Sequence, residues 1–365
     1  MSMPPATERD RIRDRRIERI EPLDRPSDLF AELPLPPESA ELVIRSREEV
    51  ASILGGSDDR LLAVVGPCSV HDIKAAEDYA TRLAQKAREI EGDVLVAMRV
   101  YFEKPRTTTG WKGMINDPLL DDSGDVNTGL RMARGLLLSV LEAGLPVGCE
   151  FLDPIIPQYI SDAVSWGAIG ARTTESQIHR QLGSGLSMPV GFKNGTDGNV
   201  QIAVDAVRAA AASHAFTGID PTGTPAILRT AGNSDGHVIL RGGRSSYNYD
   251  SRGVAEALAQ LEAAGLPARL VVDASHDNSD KDPARQRLVA SDIAQQVAEG
   301  NGAIVGVMLE SFIVAGRQDL GSGDLVYGQS ITDACMDWET TAEALDELAE
   351  AVRSRRETPE GSDPS

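Results

Sequence analysis

LLAVVGPCSVHDIKAAEDYATRLAQKAREIEGDVLVAMRV, residues 61–100, holds one complete structural repeat. An apolar run (Leu61–Val65) gives way to a stretch with helical spacing and good helix formers (Ile73–Ile90). A second apolar run, Val94–Val100, follows. Near-continuous apolar strands are what a parallel sheet covered on both faces requires. Outward from this unit the pattern recurs. Further runs fall at Pro146–Phe151, Ala168–Ala171, Pro189–Phe192, His237–Leu240, Leu270–Val272 and Ala303–Met308, making eight in all. Helical stretches lie at Gly129–Ala143, Val200–Ala212, Gly253–Ala264, Arg287–Ala298 and Thr340–Val352. Eight strands alternating with helices over roughly 290 residues predict an α/β chain folded as a (β/α)8 TIM barrel. A doubly wound open sheet fits less well, since such sheets more often have about five to seven strands.

Residues 1–60 have a different texture. Glu8 to Glu21 alternates Arg with acid, and Pro22 to Pro37 is proline-rich. These predict either a solvated tail with an extended linker or an arm that packs on a neighbouring subunit. A short helix is expected from Pro37 to Leu54, stopped by Gly55-Gly56. The expected organisation is an N-terminal extension (arm and short helix, 1–60), a catalytic barrel (61–356) and a flexible tail (357–365).

Composition excludes several classes of function. Lys and Arg number 36 against 56 Asp and Glu, a net charge of −20, which disfavours a nucleic-acid partner. No run approaches the roughly twenty apolar residues of a membrane span, and the charged N-terminus does not read as a secretory signal. Three widely spaced cysteines, Cys68, Cys149 and Cys335, argue against a disulfide framework and for a reducing, cytoplasmic location. Phe102–Asp125 is long, polar and glycine-bearing; loops of that length in a compact domain tend to be functional.

In a barrel, the residues just past each strand's C-terminus line one mouth. Here those positions carry Cys68, then Arg99, Lys104 and Arg106, then Glu150 and Asp153, Arg172, Lys193, Arg241, Asp273 with His276, and Glu310, with Asp333 soon after. One set is cationic: Arg99, Lys104, Arg106, Arg172, Lys193 and Arg241. A single Arg commonly pairs with a nearby carboxylate, but six cations on successive strand ends predict an anion among them. That points to a phosphorylated substrate that also carries a carboxylate. The second set, Cys68, His276, Glu310 and Asp333, offers the mixed donors that suit a borderline divalent ion. Taken singly, such a Cys or His is more often packing or a hydrogen-bonded side chain, and spacing does not decide between the two. Lys104 and Lys193 also admit Schiff-base aldol chemistry, which needs an amine with a depressed pKa. No dinucleotide fingerprint or Walker loop is present.

Longer stretches then become recognisable. GPCSVHD (Gly66–Asp72), MRVYFEKPRTTTGWKGMINDP (Met98–Pro118), GAIGARTTESQIHR (Gly167–Arg180), MPVGFKNGTDGN (Met188–Asn199), GNSDGHVILRGG (Gly232–Gly243) and YGQSITDAC (Tyr327–Cys335) occur in order. On these the chain resembles the metal-dependent type I 3-deoxy-D-arabino-heptulosonate 7-phosphate (DAHP) synthases of the feedback-regulated branch, from about Asp58 to Leu348. The resemblance implies condensation of phosphoenolpyruvate with erythrose 4-phosphate, the first step of the shikimate pathway. It implies one divalent metal ion (Mn, Fe, Co or Zn) on Cys68, His276, Glu310 and Asp333. Phosphoenolpyruvate contacts fall on Arg99, Lys104, Ala171, Arg172, Lys193 and Arg241, with Glu150 near the attacking water. The segment Lys104, Pro105, Arg106, Thr107 matches the part that receives the aldose phosphate. Lys104, Glu150, Lys193 and His276 are the implied catalytic residues.

The same resemblance implies a homodimer or homotetramer and an aromatic amino acid inhibitor in a side pocket. Candidate contacts for that effector are Asp14, Pro154, Gln158, Ser187 and Phe216. Asp153-Pro154 and Ser187-Met188 look more like tyrosine-sensitive relatives. Where the family shows paired acids in the arm, this chain has Arg13-Asp14. A synthase using arabinose 5-phosphate, and a catalytically silent barrel, are the competing expectations. The first lacks the KPRT segment; the second predicts a missing ligand or cation, and none is missing.

Overall fold

A computed structural model describes residues 14–106, 110–244, 246–321 and 324–357. Two helices, α1 (Pro26–Glu32) and α2 (Pro37–Gly55), precede an alternation of strand and helix. It runs β1 (Leu61–Gly66), α3 (Ile73–Glu89), β2 (Val94–Arg99), α4 (Val126–Glu142), β3 (Val147–Glu150), α5 (Pro157–Ile160), β4 (Trp166–Ile169), α6 (Gln177–Gly183), β5 (Val190–Lys193) and α7 (Gln201–Ala210). A hairpin of β6 (Ala215–Ile219) and β7 (Pro225–Arg229) interrupts it. The alternation resumes with β8 (Gly236–Leu240), α8 (Ser251–Ala263), β9 (Leu270–Asp273), α9 (Pro283–Ala298) and β10 (Ile304–Glu310). A small parallel pair, β11 (Val314–Arg317) and β12 (Gln329–Ser330), and the closing helix α10 (Trp338–Glu357) complete the chain.

Hydrogen bonding passes from β1 through β2, β3, β4, β5, β8, β9 and β10 and back to β1, closing a parallel barrel. The strand period of two explains how both faces are filled. Leu62 and Val64 of β1 join Leu95, Ala97, Trp166, Ala168, Ile239, Val271 and Met308 in one cluster. The alternate residues Leu61, Ala63 and Val65 join the larger cluster that includes the helices. Val50, Ile53 and Leu54 of α2 pack into the first cluster, and Leu54 and Gly55 face the start of β8. α2 therefore plugs the end where the strands begin, leaving the other end for chemistry.

The eight expected strands all occur, with one notable shift. The fourth begins at Trp166 rather than Ala168, because the fully buried Trp166 indole is part of the barrel filling. α9 begins one turn before the expected Arg287: Asp282 caps it by accepting from the Ala284 and Arg285 amides, and Pro283 occupies the first turn. α2 stops as expected, with Gly56 at φ 77°. The proline-rich stretch is not wholly extended. It contains α1, which buries Leu29, and Tyr159 Oη donates to the Asp24 carbonyl at 2.7 Å. The β6–β7 hairpin was not expected; its turn forms where the Thr222 and Thr224 amides donate to Asp220 Oδ1.

Candidate active site

At the C-terminal end of the barrel strands lies a cavity of about 250 Å³. Its wall takes Lys104, Pro105 and Arg106 from the loop after β2, Glu150 from β3, and Gly170, Ala171 and Arg172 from beyond β4. Lys193 comes from β5, Arg241 from beyond β8, and His276 and Lys281 from beyond β9; Thr196, Thr332 and Asp333 complete it. Gly170 leaves room for Glu150, since a Cβ at that position would stand 2.5 Å from Glu150 Oε1 and displace that side chain. The loop after β2 is held by its own backbone, with the Lys104 amide donating to the Lys112 carbonyl, and Arg106 Nε donates to the Trp111 carbonyl at 2.7 Å.

Five of the six expected cations line this cavity. Arg99 does not: it lies beneath the floor, 1% exposed. One of its nitrogens donates to the Pro67 and Cys68 carbonyls, another is 2.9 Å from Glu310, and its face lies 3.7 Å over the Tyr101 ring. Its Nε has no hydrogen-bond partner. The expectation that the cations stand without carboxylates needs correction. Lys193 pairs with Asp273 at 2.9 Å, Arg241 with Asp277 and Arg99 with Glu310. Sequence reading missed these pairs because each joins different strands or loops. Lys281 was also missed; it lines the cavity and lies 3.1 Å from Asp333 Oδ1.

Cys68 Sγ and carboxylate oxygens of Glu310 and Asp333 lie within 4.8 Å of one another. His276 stands beside this group, its Nε2 3.7 Å from Glu310 Oε1. Each member is locally fixed. The side-chain amide of Gln286, on α9, brackets the Glu310 backbone with two hydrogen bonds of 2.8 Å. The Cys68 amide donates to Cys335 Sγ, and the Asp333 amide to Cys68 Sγ. Burial pushes Glu310 and Asp333 up, but His276, Arg99 and Lys104 around the first, and Lys104, Lys281 and His276 around the second, hold both below the usual carboxylate range. Burial, reinforced by Glu310, raises the Cys68 thiol against the pull of Lys104. Lys104 Nζ lies 3.0 Å from Cys68 Sγ. Burial works against the Lys104 ammonium, yet Cys68 and Glu310 outweigh it and hold the amine above its ordinary value. That is the opposite of what Schiff-base chemistry requires.

A mixed thiol, imidazole and carboxylate group of this kind suits a borderline divalent ion. Glu310 Oε1 fits the purpose, since it lies close to Arg99 without an aligned hydrogen bond.

Two buried acids had no assigned role. Asp273 is fully buried at the end of β9 and touches both Lys193 and His276. Glu103 accepts from the Leu152 and Asp153 amides, and burial pushes it up to about 8. Thr107 and Arg13 lie outside the described residues. Of the effector candidates, Asp14 is in the exposed arm, Pro154 and Gln158 lie beyond β3, Ser187 precedes β5 and Phe216 is on β6. None of the five lines the mouth cavity.

Comparison with known proteins gives concordant findings. A sequence model described as the DAHP synthetase I family matches residues 39–346. A phospho-2-dehydro-3-deoxyheptonate aldolase of Corynebacterium glutamicum is 54% identical over 351 residues, covering 94% of this chain and 95% of that protein. The Phe-sensitive enzyme of that name from Escherichia coli K12 is 53% identical over 344 residues, covering 94% and 98%. A solved phospho-2-dehydro-3-deoxyheptonate aldolase structure from Francisella tularensis superposes with a TM-score of 0.92 at 50% identity, covering 93% of this chain and 99% of that one.

Proposed function

The chain belongs to the DAHP synthetase I family, and from that premise we propose its reaction. It condenses phosphoenolpyruvate with erythrose 4-phosphate and water to give DAHP and inorganic phosphate, opening aromatic amino acid biosynthesis. The observation that carries this reading is the cavity itself: Lys104, Arg106, Arg172, Lys193 and Arg241 line a space whose floor adjoins the Cys68, Glu310 and Asp333 donors.

In this reading Arg172 and Arg241 take the phosphate of phosphoenolpyruvate, with Ala171 at the same rim. Lys193 takes its carboxylate, and Arg99 supports it from beneath with the Nε–H it has left to give. Arg106, with Pro105 and Thr107, receives the phosphate of the aldose. So held, carbon 3 of the enol phosphate faces the aldehyde carbon, and pre-orientation of this kind can lower a barrier by about 7–11 kcal/mol. Cys68, Glu310 and Asp333, with His276 beside them, would hold a divalent ion, and that ion would supply Lewis-acid polarisation at the aldehyde oxygen. As the carbon–carbon bond forms, Lys104 gives its proton to that oxygen; its raised pKa keeps it protonated beforehand. Glu150 and Lys193 position water for carbon 2, with His276 assisting, and phosphate departs by C–O cleavage to leave the ketone.

The arm and short helix (1–60) are assigned to subunit contact, in a homodimer or homotetramer, and to regulation. The exposed Ile17, Ile20 and Leu23 along its described part support a covering partner. An aromatic amino acid, tyrosine by preference, is the proposed inhibitor, drawing on Asp14, Pro154, Gln158, Ser187 and Phe216. Among the described residues no helix is long and apolar enough to cross a membrane, in keeping with a cytoplasmic enzyme.

The test is substrate choice. With phosphoenolpyruvate present, erythrose 4-phosphate is expected to yield a seven-carbon keto acid phosphate by mass spectrometry, and borohydride to trap no adduct. An eight-carbon product from arabinose 5-phosphate alone, or a reduced lysine adduct, would refute the assignment.

A further inference from the structure

We propose that Asp273 is the positioning residue that ties the metal-facing and substrate-facing halves of the site to a single carboxylate oxygen. This rests on the reading above, in which His276 faces a divalent ion and Lys193 the enol phosphate. Asp273 is wholly buried and so acts only through its neighbours. Its Oδ1 is fixed locally, accepting from the Ser275 amide at 2.9 Å and the Ser275 hydroxyl at 2.6 Å. Those two bonds set the plane of the carboxylate. Its Oδ2 then lies 2.7 Å from His276 Nδ1 and 2.9 Å from Lys193 Nζ.

The first contact selects a tautomer. A neutral imidazole has one N–H. Ser275 Oγ gives its own proton to Asp273 Oδ1 and so can only accept from His276 Nδ1, 3.3 Å away. Asp273 Oδ2 adds its negative charge beside Nδ1 without an aligned hydrogen bond. Together they hold the proton on Nδ1 and leave the Nε2 lone pair free on the side of Glu310. The second contact gives the Lys193 ammonium, 2% exposed, the counter-charge that burial demands. β5 and β9 are not neighbours, since β8 runs between them; Asp273 joins them across the barrel mouth. An amide cannot replace it. With its oxygen toward Ser275, the –NH2 meets the Nδ1–H and the ammonium, donor against donor; turned over, it meets the Ser275 amide and hydroxyl.

Full-length wild type and Asp273→Asn are stripped of metal, and the dissociation constants of Mn²⁺ and of phosphoenolpyruvate are each measured by titration calorimetry. Asp273→Asn is expected to weaken Mn²⁺ binding about 10–100-fold and phosphoenolpyruvate binding at least about tenfold. The sign for phosphoenolpyruvate is diagnostic. If Asp273 merely adds charge, removing a carboxylate beside an anion site tightens binding; if it positions Lys193, binding weakens. A change in melting temperature with both constants within about twofold of wild type overturns the proposal, and so does weakening of one constant alone. Wild type that binds neither probe refutes the functional reading along with it. Should the variant fail to fold, ¹⁵N NMR of Zn²⁺-loaded wild type decides: a protonated Nδ1 and a metal-bound Nε2 on His276 are expected, and the opposite tautomer overturns the proposal.

Discussion

Cys68 combines full burial with a thiol raised above its ordinary pKa. The thiolate is the form that binds a metal, so loading must expel a proton. Raising the pH at values below that of the thiol increases the thiolate fraction, and metal affinity is predicted to rise with pH, checked by titrations at pH 6, 7 and 8. Cys68→Ser keeps the shape and loses the soft donor. It is expected to weaken metal binding at least about tenfold with little change in melting temperature; wild-type affinity in that variant would remove Cys68 from the ligand set. At this scale, residue types past the strand ends were legible, because a barrel turns strand order into a ring of side chains. Partners were not. Lys193–Asp273 and Arg241–Asp277 join residues 80 and 36 apart in sequence (273 − 193; 277 − 241), and periodicity does not say which cation meets which acid.

Strands make contacts inside the barrel that no single strand reveals. Trp166 on β4 donates its indole N–H to His237 Nε2 on β8 at 3.1 Å, while His237 Nδ1 lies 3.2 Å from the Asp235 carbonyl. Burial pushes His237 down from 6.5 to about 4, against the opposing backbone contact. The folded chain therefore holds this ring neutral in a range where the unfolded chain protonates it. Stability is predicted to fall as pH drops from about 6.5 to about 4, by about 3 kcal/mol from this residue, and to level off below that. His237→Gln should flatten this part of the acid limb in denaturant melts; an unchanged slope would show that His237 is not its source. Long, strongly periodic elements such as β1, α3 and β2 were legible to within about a residue or two. The β6–β7 hairpin was not, since its strands are half-exposed on both faces and its Gly, Pro and Thr content reads as a loop. α1 hid in a proline-rich stretch because Pro26 suits a first helical turn.

Over the whole molecule, charge is segregated against its own total. A chain of net −20 gathers Lys104, Arg106, Arg172, Lys193, Arg241 and Lys281 around one cavity, so the local field opposes the global one where two phosphorylated substrates are to enter. The barrel was legible because eight buried parallel strands need eight apolar runs, and α2 closes the other end. The arm's role was not legible, because exposed apolar residues such as Ile20 carry no signal of what packs on them. The central claim is that the cationic mouth and the Cys68 group act together on two substrates. It is tested most directly by inorganic phosphate released from phosphoenolpyruvate and erythrose 4-phosphate, before and after EDTA, with Mn, Fe, Co and Zn ions restored singly. The predicted result is release only with both substrates, abolished by EDTA and regained with at least one ion; release indifferent to EDTA, or none with any ion, would contradict it.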